Sequence, residues 1–250
     1  MTRLAGQRAL VTGGGTGVGA AIARTLANDG ADVWISGRRT EVLEETAVSH
    51  DRIHVVTGDV TRPDDCARMI ETAGRPGIIV ANAGAAVSKP FHRMSADDLR
   101  AMIDVNLFGV FNIWSAALPA LRDAGQGRLI AVASTAGLKG YAYVSAYVAA
   151  KHAVVGLTRS LALELARTGI TVNAVCPGFT DTPMLQESVS NIMRQTGRSA
   201  DEAEAALTAT NPQGRFVQPG EVADTVQWLC GPGAGAVTGQ ALSVSGGEVM

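Results

Sequence analysis

The chain has 250 residues, 46% of them hydrophobic and 18% charged, with a formal net charge of −2. That length suits one α/β domain, since such domains reach ~200–250 residues without splitting, and the near-neutral charge excludes nucleic acid or an anionic membrane surface as an electrostatic partner. Cys66, Cys176 and Cys230 are odd in number and lie in or beside apolar stretches, and His50, His54, His92 and His152 lack ligand spacing, so no disulfide framework and no metal site are expected.

The thiols fit a reducing cytoplasm. The amino terminus carries no signal-peptide hydrophobic region, and no apolar run is expected to approach the ~18 residues of a membrane span.

Arg8–Thr12 reads as a short apolar strand, followed by Gly13-Gly14-Gly15-Thr16-Gly17-Val18-Gly19 and a helix expected over Ala20–Asn28. Glycines let a backbone turn tightly and approach a pyrophosphate, and a helix amino terminus adds free N–H groups and a positive dipole end. Gly13, Gly15, Thr16, Gly17, Val18 and Gly19 are therefore candidate dinucleotide contacts.

The next strand, Asp32–Ser36, leads into Gly37-Arg38-Arg39. An acidic residue there would bind the adenosine ribose hydroxyls and select NAD. Gly37 holds the place instead, and the guanidinium groups of Arg38 and Arg39 suit a 2′-phosphate. This favours NADP(H) over NAD(H); the plainer alternative is a solvated helix start.

A third strand, Ile53–Thr57, runs into Gly58-Asp59-Val60. Asp59 either bonds an adenine amino group, with Val60 beside it, or caps the short helix that begins near Pro63 and ends by Gly74–Gly77. The fourth strand, Ile78–Val80, meets Asn82-Ala83-Gly84, small residues that let a cofactor ribose pack close to the backbone. Ser95–Asp98 is a capped helix start, with the helix expected to run to about Leu121 and to carry Asn106 on an apolar face. A buried Asn needs partners at both ends of its amide. These are either neighbouring backbone or a water beside Lys151 that extends a proton path to solvent.

Leu129–Ala133 reads as a buried parallel strand that ends at Ser134, where open α/β sheets place their ligands. The helix expected over Ser145–Arg167 puts Tyr147 and Lys151 on one face, a turn apart. A phenol with a pKa near ~10 is a poor acid at neutral pH, and a nearby ammonium is expected to lower it toward the working range. The Ser134 hydroxyl can polarise a carbonyl. These three residue types suit hydride transfer to a ketone, or the reverse.

Ile170–Val175 is a further strand, and by strand order Pro177, Gly178, Thr180 and Thr182 face the same crevice, where they could meet the nicotinamide carboxamide and phosphate. Residues 184–212 break the strand–helix rhythm. Leu185, Val189, Ile192 and Met193 form one amphipathic face and Ala203, Ala206 and Leu207 another, as in a substrate lid or a simple packing pair. A helix over Glu221–Leu229 and a strand over Ala241–Val244 complete one doubly wound Rossmann-type domain, residues 1–250, with about seven parallel strands and helices on both faces.

Together these residues resemble the short-chain dehydrogenase/reductase family. Its TGxxxGxG falls on Thr12, Gly13, Gly17 and Gly19, its NAG on Asn82–Gly84, its Asn-Ser-Tyr-Lys set on Asn106, Ser134, Tyr147 and Lys151, and its PG on Pro177-Gly178. The resemblance implies that Tyr147 is the acid/base, Lys151 binds the nicotinamide ribose and lowers the Tyr147 pKa, Ser134 orients the carbonyl, and Asn106 supports the relay.

The segments Leu161–Met184 and Gly214–Leu242 look like ketoreductases of bacterial type II polyketide synthesis and 3-oxoacyl-ACP reductases. That likeness implies NADPH, a β-keto thioester on an acyl carrier protein or CoA, and a homotetramer built through the two long helices. Thr16 stands where many NADP-dependent members carry a basic residue, and Ala-Ala-Val-Ser follows Gly84 in place of the Pro-Gly-Gly associated with stereocontrol. These departures leave substrate and product hand open.

Ala146–His152 also resembles the NAD-dependent 3-hydroxybutyrate dehydrogenases, although Ala136 replaces their histidine. A non-catalytic cofactor-binding protein is a third reading, disfavoured by the presence of both Tyr147 and Lys151.

Overall fold

The computed structural model describes residues 2–250. Seven strands form one parallel sheet: β1 Arg8–Thr12, β2 Asp32–Gly37, β3 Ile53–Thr57, β4 Ile78–Ala81, β5 Gln126–Val132, β6 Gly169–Pro177 and β7 Ala241–Val244. The order is β3-β2-β1-β4-β5-β6-β7, as expected of a doubly wound Rossmann fold. After β3 the chain crosses back over β1 to lay down β4. The strand order reverses there, opening a crevice at the carboxyl ends of β1 and β4.

Strands covered on both faces read as unbroken apolar runs, and β4, Ile-Ile-Val-Ala, is buried throughout. Alternate residues feed two cores. Val11, Ile35 and Val80 pack with Ile22 and Leu26 of helix α1, Gly17–Asn28, and with Val222, Val226 and Leu229 of helix α9, Pro219–Cys230. On the other face Leu10, Ile79, Leu129 and Val172 meet Met69, Ile113, Trp114 and Val154. Each fully buried side chain of this size contributes ~1.5–3 kcal/mol.

The remaining helices are α2 Thr40–Ala47, α3 Pro63–Thr72, α4 Ala96–Ile103, α5 Gly109–Ala124, α6 Ser145–Glu164, α7 Pro183–Thr196 and α8 Ala200–Thr208. Four differ from expectation. Helix α1 begins at Gly17, so Gly17, Val18 and Gly19 are its first turn and not loop. The helix expected from Ser95 to Leu121 is divided by a π turn, Asp104–Phe108, with Asn106 at its centre. Helix α6 stops at Glu164, short of Arg167. Residues 184–212 form α7 and α8, joined at left-handed Gly197, with Ala203 buried but Ala206 exposed.

The expectation about apolar runs is corrected as well. Ala96–Ala124 is 29 residues long, and its most apolar stretch has a mean hydropathy of 1.4, enough by length and composition to cross a membrane. Its inner residues, Met102, Val110, Ile113, Trp114, Ala117 and Leu121, are buried, so the fold uses it as a core element. The charged residues at its start disguise the apolar length that follows.

Candidate active site

Thr16 occupies the cap position of α1 without a side-chain cap bond, and the first turn holds no acidic residue. The N–H groups of Gly17, Val18 and Gly19 are thus left for an anion, with the dipole in the right sense. A Cβ on Gly19 would collide with the Gly13 carbonyl oxygen, so the loop closes only around glycine. Arg38 follows β2, Arg39 caps α2, and both are exposed. Among the described residues neither enters an ion pair, which leaves two cations at the adenosine end of the crevice. This uncapped cradle and its two free guanidinium groups fit a dinucleotide carrying a 2′-phosphate.

Two candidate contacts also bond within the chain. The Asn82 amide donates to the Thr12 carbonyl at 2.9 Å and the Gly13 carbonyl at 3.1 Å, while the Thr12 hydroxyl accepts from the N–H groups of Asn82 and Ala83, both at 3.0 Å. Asn82 therefore ties the β4 turn to the glycine loop through its amide N–H groups. Thr12, the first residue of the TGxxxGxG pattern, is its partner.

Asp59 accepts from the Thr61 N–H at 2.9 Å and hydroxyl at 2.8 Å, and Asp65 accepts the Asp59 N–H at 2.9 Å. The aspartate does not cap α3. The Val60 carbonyl accepts from the Asn112 amide at 2.9 Å, which pins this turn to α5.

Ser134, Tyr147 and Lys151 converge at the carboxyl end of β5. Ser134 Oγ accepts the Ala136 N–H at 3.1 Å, which leaves its own hydrogen free to donate. Lys151, 4% exposed, donates to the Val132 carbonyl at 3.0 Å, and its Nζ stands 5.6 Å from the Tyr147 ring centroid.

Burial lowers the Lys151 ammonium to about 8, with the Cys176 thiol opposing. Burial raises the Tyr147 phenol above its ordinary value, and a hydrogen bond from Ser134 opposes the rise. The expected lowering of the phenol by Lys151 is not seen in the protein alone. Desolvation governs the phenol, and the ammonium is anchored on the strand end.

Asn106 is fully buried and donates to the Ala85 carbonyl at 2.9 Å and the Met102 carbonyl at 3.0 Å. Backbone groups thus meet both ends of its amide, with the Ala85 N–H 3.4 Å from Oδ1. The side chain also seats Gly84, where a Cβ would lie 2.7 Å from Asn106 Oδ1 and 3.7 Å from Lys151 Nζ. The π turn is what brings Asn106 to the Gly84–Ala85 backbone.

Pro177 ends β6, and Gly178 follows. Thr180 donates to the Gly178 carbonyl at 2.9 Å, and Thr182 donates to the Thr180 carbonyl at 3.2 Å while capping α7. The Thr182 methyl borders Gly17, so the base of α7 touches the glycine cradle. A cleft of about 980 Å³ runs along this edge, lined by Asp181, Thr182, Pro183, Gln186 and Arg194 among others. Cys66, Cys176 and Cys230 are buried free thiols.

Comparison with known proteins follows the same lines. A model of the short chain dehydrogenases matches residues 7–192. A putative ketoacyl reductase of Streptomyces coelicolor is 41% identical over 252 aligned positions, covering 96% of this chain and 95% of that protein. A D-beta-hydroxybutyrate dehydrogenase of Rhizobium meliloti is 33% identical, covering 96% and 97%. The crystal structure of a tryptophan variant of actinorhodin polyketide ketoreductase with NADPH superposes with a TM-score of 0.92, at 39% identity and 96% coverage of both chains.

Proposed function

The chain belongs to the short-chain dehydrogenase family, and we propose that this oxidoreductase is an NADPH-dependent ketoreductase acting on a β-keto thioester or polyketide-type ketone. The observation that carries the reading is the convergence of Ser134, Tyr147 and Lys151 beside the Gly84 turn, at the same sheet edge as the glycine cradle. The exposed, unpaired Arg38 and Arg39 favour NADPH, the cofactor of the superposed actinorhodin enzyme.

NADPH, when bound, supplies the hydride. The phenol of Tyr147, protonated at neutral pH as an ordinary phenol is, donates the proton that the carbonyl oxygen acquires. Ser134, its oxygen held by the Ala136 N–H, donates its hydrogen to that carbonyl and orients it. Lys151 keeps N–H groups for the nicotinamide ribose beyond the one given to Val132, and its pKa of about 8 suits it to return a proton to the phenolate. Asn106 holds the Gly84–Ala85 backbone in place beside the lysine. Helices α7 and α8 form the lid over the ketone.

The ketone is carried by acyl carrier protein or CoA. A homotetramer built through α5 and α6 is supported by Phe108 and Phe111, each 49% exposed, and Leu163, 82% exposed, an apolar outer face that a second copy would cover. Three thiols without a disulfide suit the cytoplasm.

The relative in Rhizobium meliloti favours a second reading, an NAD-dependent 3-hydroxy-acid dehydrogenase. Steady-state rates with acetoacetyl-CoA and with free acetoacetate, each with NADPH and NADH, separate the two. The first reading expects NADPH with the thioester. NADH with acetoacetate would install the second, and a folded protein that binds cofactor without turnover would leave a non-catalytic one.

A further inference from the structure

The loop between Ser134 and Tyr147 carries a polar cluster that none of these roles uses. Lys139 and Tyr141 meet Glu248, from the carboxyl-terminal tail, and Thr135 meets Tyr141. The Tyr141 phenol lies 2.7 Å from Glu248 Oε1 and 2.6 Å from Thr135 Oγ1. One phenolic hydrogen cannot serve both, and the carboxylate brings none. Tyr141 therefore donates to Glu248, and the Thr135 hydroxyl donates to Tyr141.

Lys139 Nζ reaches the same Oε1 at 3.1 Å and stands 4.9 Å from the Tyr141 ring centroid. Phe179 packs edge-on to that ring, with centroids 6.0 Å apart. The Glu248 side chain is only 1% exposed, although it stands near the chain end. Its Oε2 has no partner and presses on Gly178, where a Cβ would sit 2.9 Å away.

As a stability device this is poor. An unsatisfied buried acceptor costs ~1–3 kcal/mol, and a buried ion pair replaced whole by well-packed apolar residues is often no less stable. What the carboxylate does achieve is connection. It joins the tail to the Lys139–Tyr141 loop, and it rests on the Gly178–Phe179 turn after β6. The loop leads directly from Ser134 to Tyr147, and Thr135, which bonds the Tyr141 phenol, is the chain neighbour of Ser134, so the cluster borders the candidate site.

We propose that Glu248 is a positioning residue: it latches the tail across Tyr141 and Lys139 and thereby fixes the pocket wall that aligns a ketone with Ser134 and Tyr147. The kinetic consequence rests on the ketoreductase reading; the mechanical one does not.

The test uses full-length wild type, Glu248→Gln and Tyr141→Phe, both conservative in volume. Amide hydrogen exchange over residues 138–144, measured with NADPH present, is expected to quicken in both variants while the carboxyl-terminal half of α6 keeps its protection. With acetoacetyl-CoA, KM is expected to rise roughly tenfold or more, the scale on which remote misplacement acts, with the NADPH dissociation constant unchanged. Glu248→Gln should unfold no earlier than wild type.

Unchanged loop exchange in both variants would overturn the latch. So would a lower unfolding temperature with an unchanged KM, which describes a merely structural residue. If wild type fails to reduce acetoacetyl-CoA, the ketoreductase reading loses that substrate, and loop exchange alone still decides the latch. If Glu248→Gln, which removes the charge facing Lys139, does not fold, Tyr141→Phe removes the phenol's hydrogen bond to the carboxylate.

Discussion

Lys151 Nζ stands 5.6 Å from the centroid of the Tyr147 ring, yet its hydrogen bond goes to the Val132 carbonyl, 3.0 Å away. The one-turn spacing on α6 brings ammonium and phenol into one site, and the strand end holds the ammonium there. Burial governs both groups in the protein alone, lowering the lysine and raising the tyrosine. The site stores the cost of a buried cation where a ribose hydroxyl and a developing phenolate would meet it.

That cost is measurable. Lys151 titrates at about 8 when folded, against an ordinary value of 10.5. Between those values the unfolded chain binds the extra proton, so this group's contribution to stability rises with pH across that window and is least below about 8. At pH 7, Lys151→Met is therefore expected to be more stable than wild type, by on the order of 3 kcal/mol at most. The gain should shrink as pH climbs through the same window. The buried thiols act in the opposite sense at high pH. Cys66 and Cys230 are unaffected by Lys151 and cancel in the difference, whereas Cys176 interacts with Lys151, so the comparison is read below about pH 9. Thermal unfolding of the cofactor-free pair across pH reads this directly; a variant less stable at pH 7 would contradict it.

The thiols give a second prediction. Burial pushes Cys66 and Cys230 up to about 12 and Cys176 up to about 11, so little thiolate exists near neutrality. Iodoacetamide at pH 8 should label none of the three in the native protein and all three in denaturant, as read by intact mass. Rapid native labelling of Cys176 would show that the site opens to solvent.

Arg38→Ala should weaken NADPH roughly tenfold to a hundredfold, the worth of a charge-assisted hydrogen bond, and leave NADH nearly unaffected. Fluorescence titration with each nucleotide checks it, since Trp34 lies on β2, which leads to Arg38. Equal losses for both nucleotides would remove the guanidinium as the basis of cofactor choice.

Asn82→Ala removes both amide bonds to the Thr12 and Gly13 carbonyls. A loss of about 1–3 kcal/mol in unfolding free energy is expected, together with weaker binding of either nucleotide because the glycine loop loses its tether. Wild-type stability with weakened binding would make Asn82 a direct ligand after all.

Much of this was readable in the sequence for a physical reason. Strands buried on both faces must be continuous apolar runs, and those of β1, β4 and β5 stand out between glycines; Tyr147 and Lys151 are linked by helical spacing alone. Other features left no such trace. The π turn at Asn106 adds local slack without spoiling the apolar face of Val110, Ile113 and Trp114, so the helix reads as continuous. Glycines at 17 and 19 argue against helix by propensity, although the left-handed backbone of Gly17 beside Thr182 and the close packing of Gly19 against Gly13 demand them inside α1. Whether Asn82 and Asp59 bind a ligand or their own backbone depends on which carbonyl or N–H folding delivers to them. Glu248 meets Tyr141 across 107 residues, a contact that no local pattern encodes.

The central claim is that Tyr147 supplies the proton, and Tyr147→Phe tests it most directly. The variant keeps ring, packing and cofactor cradle but has no phenolic hydrogen. NADPH binding by fluorescence and NADPH oxidation in the presence of acetoacetyl-CoA should be measured on the same preparation. The account predicts an unchanged dissociation constant and turnover lowered by roughly 10²–10⁴-fold. Turnover close to wild type, with binding intact, would contradict it and move the proton donor elsewhere.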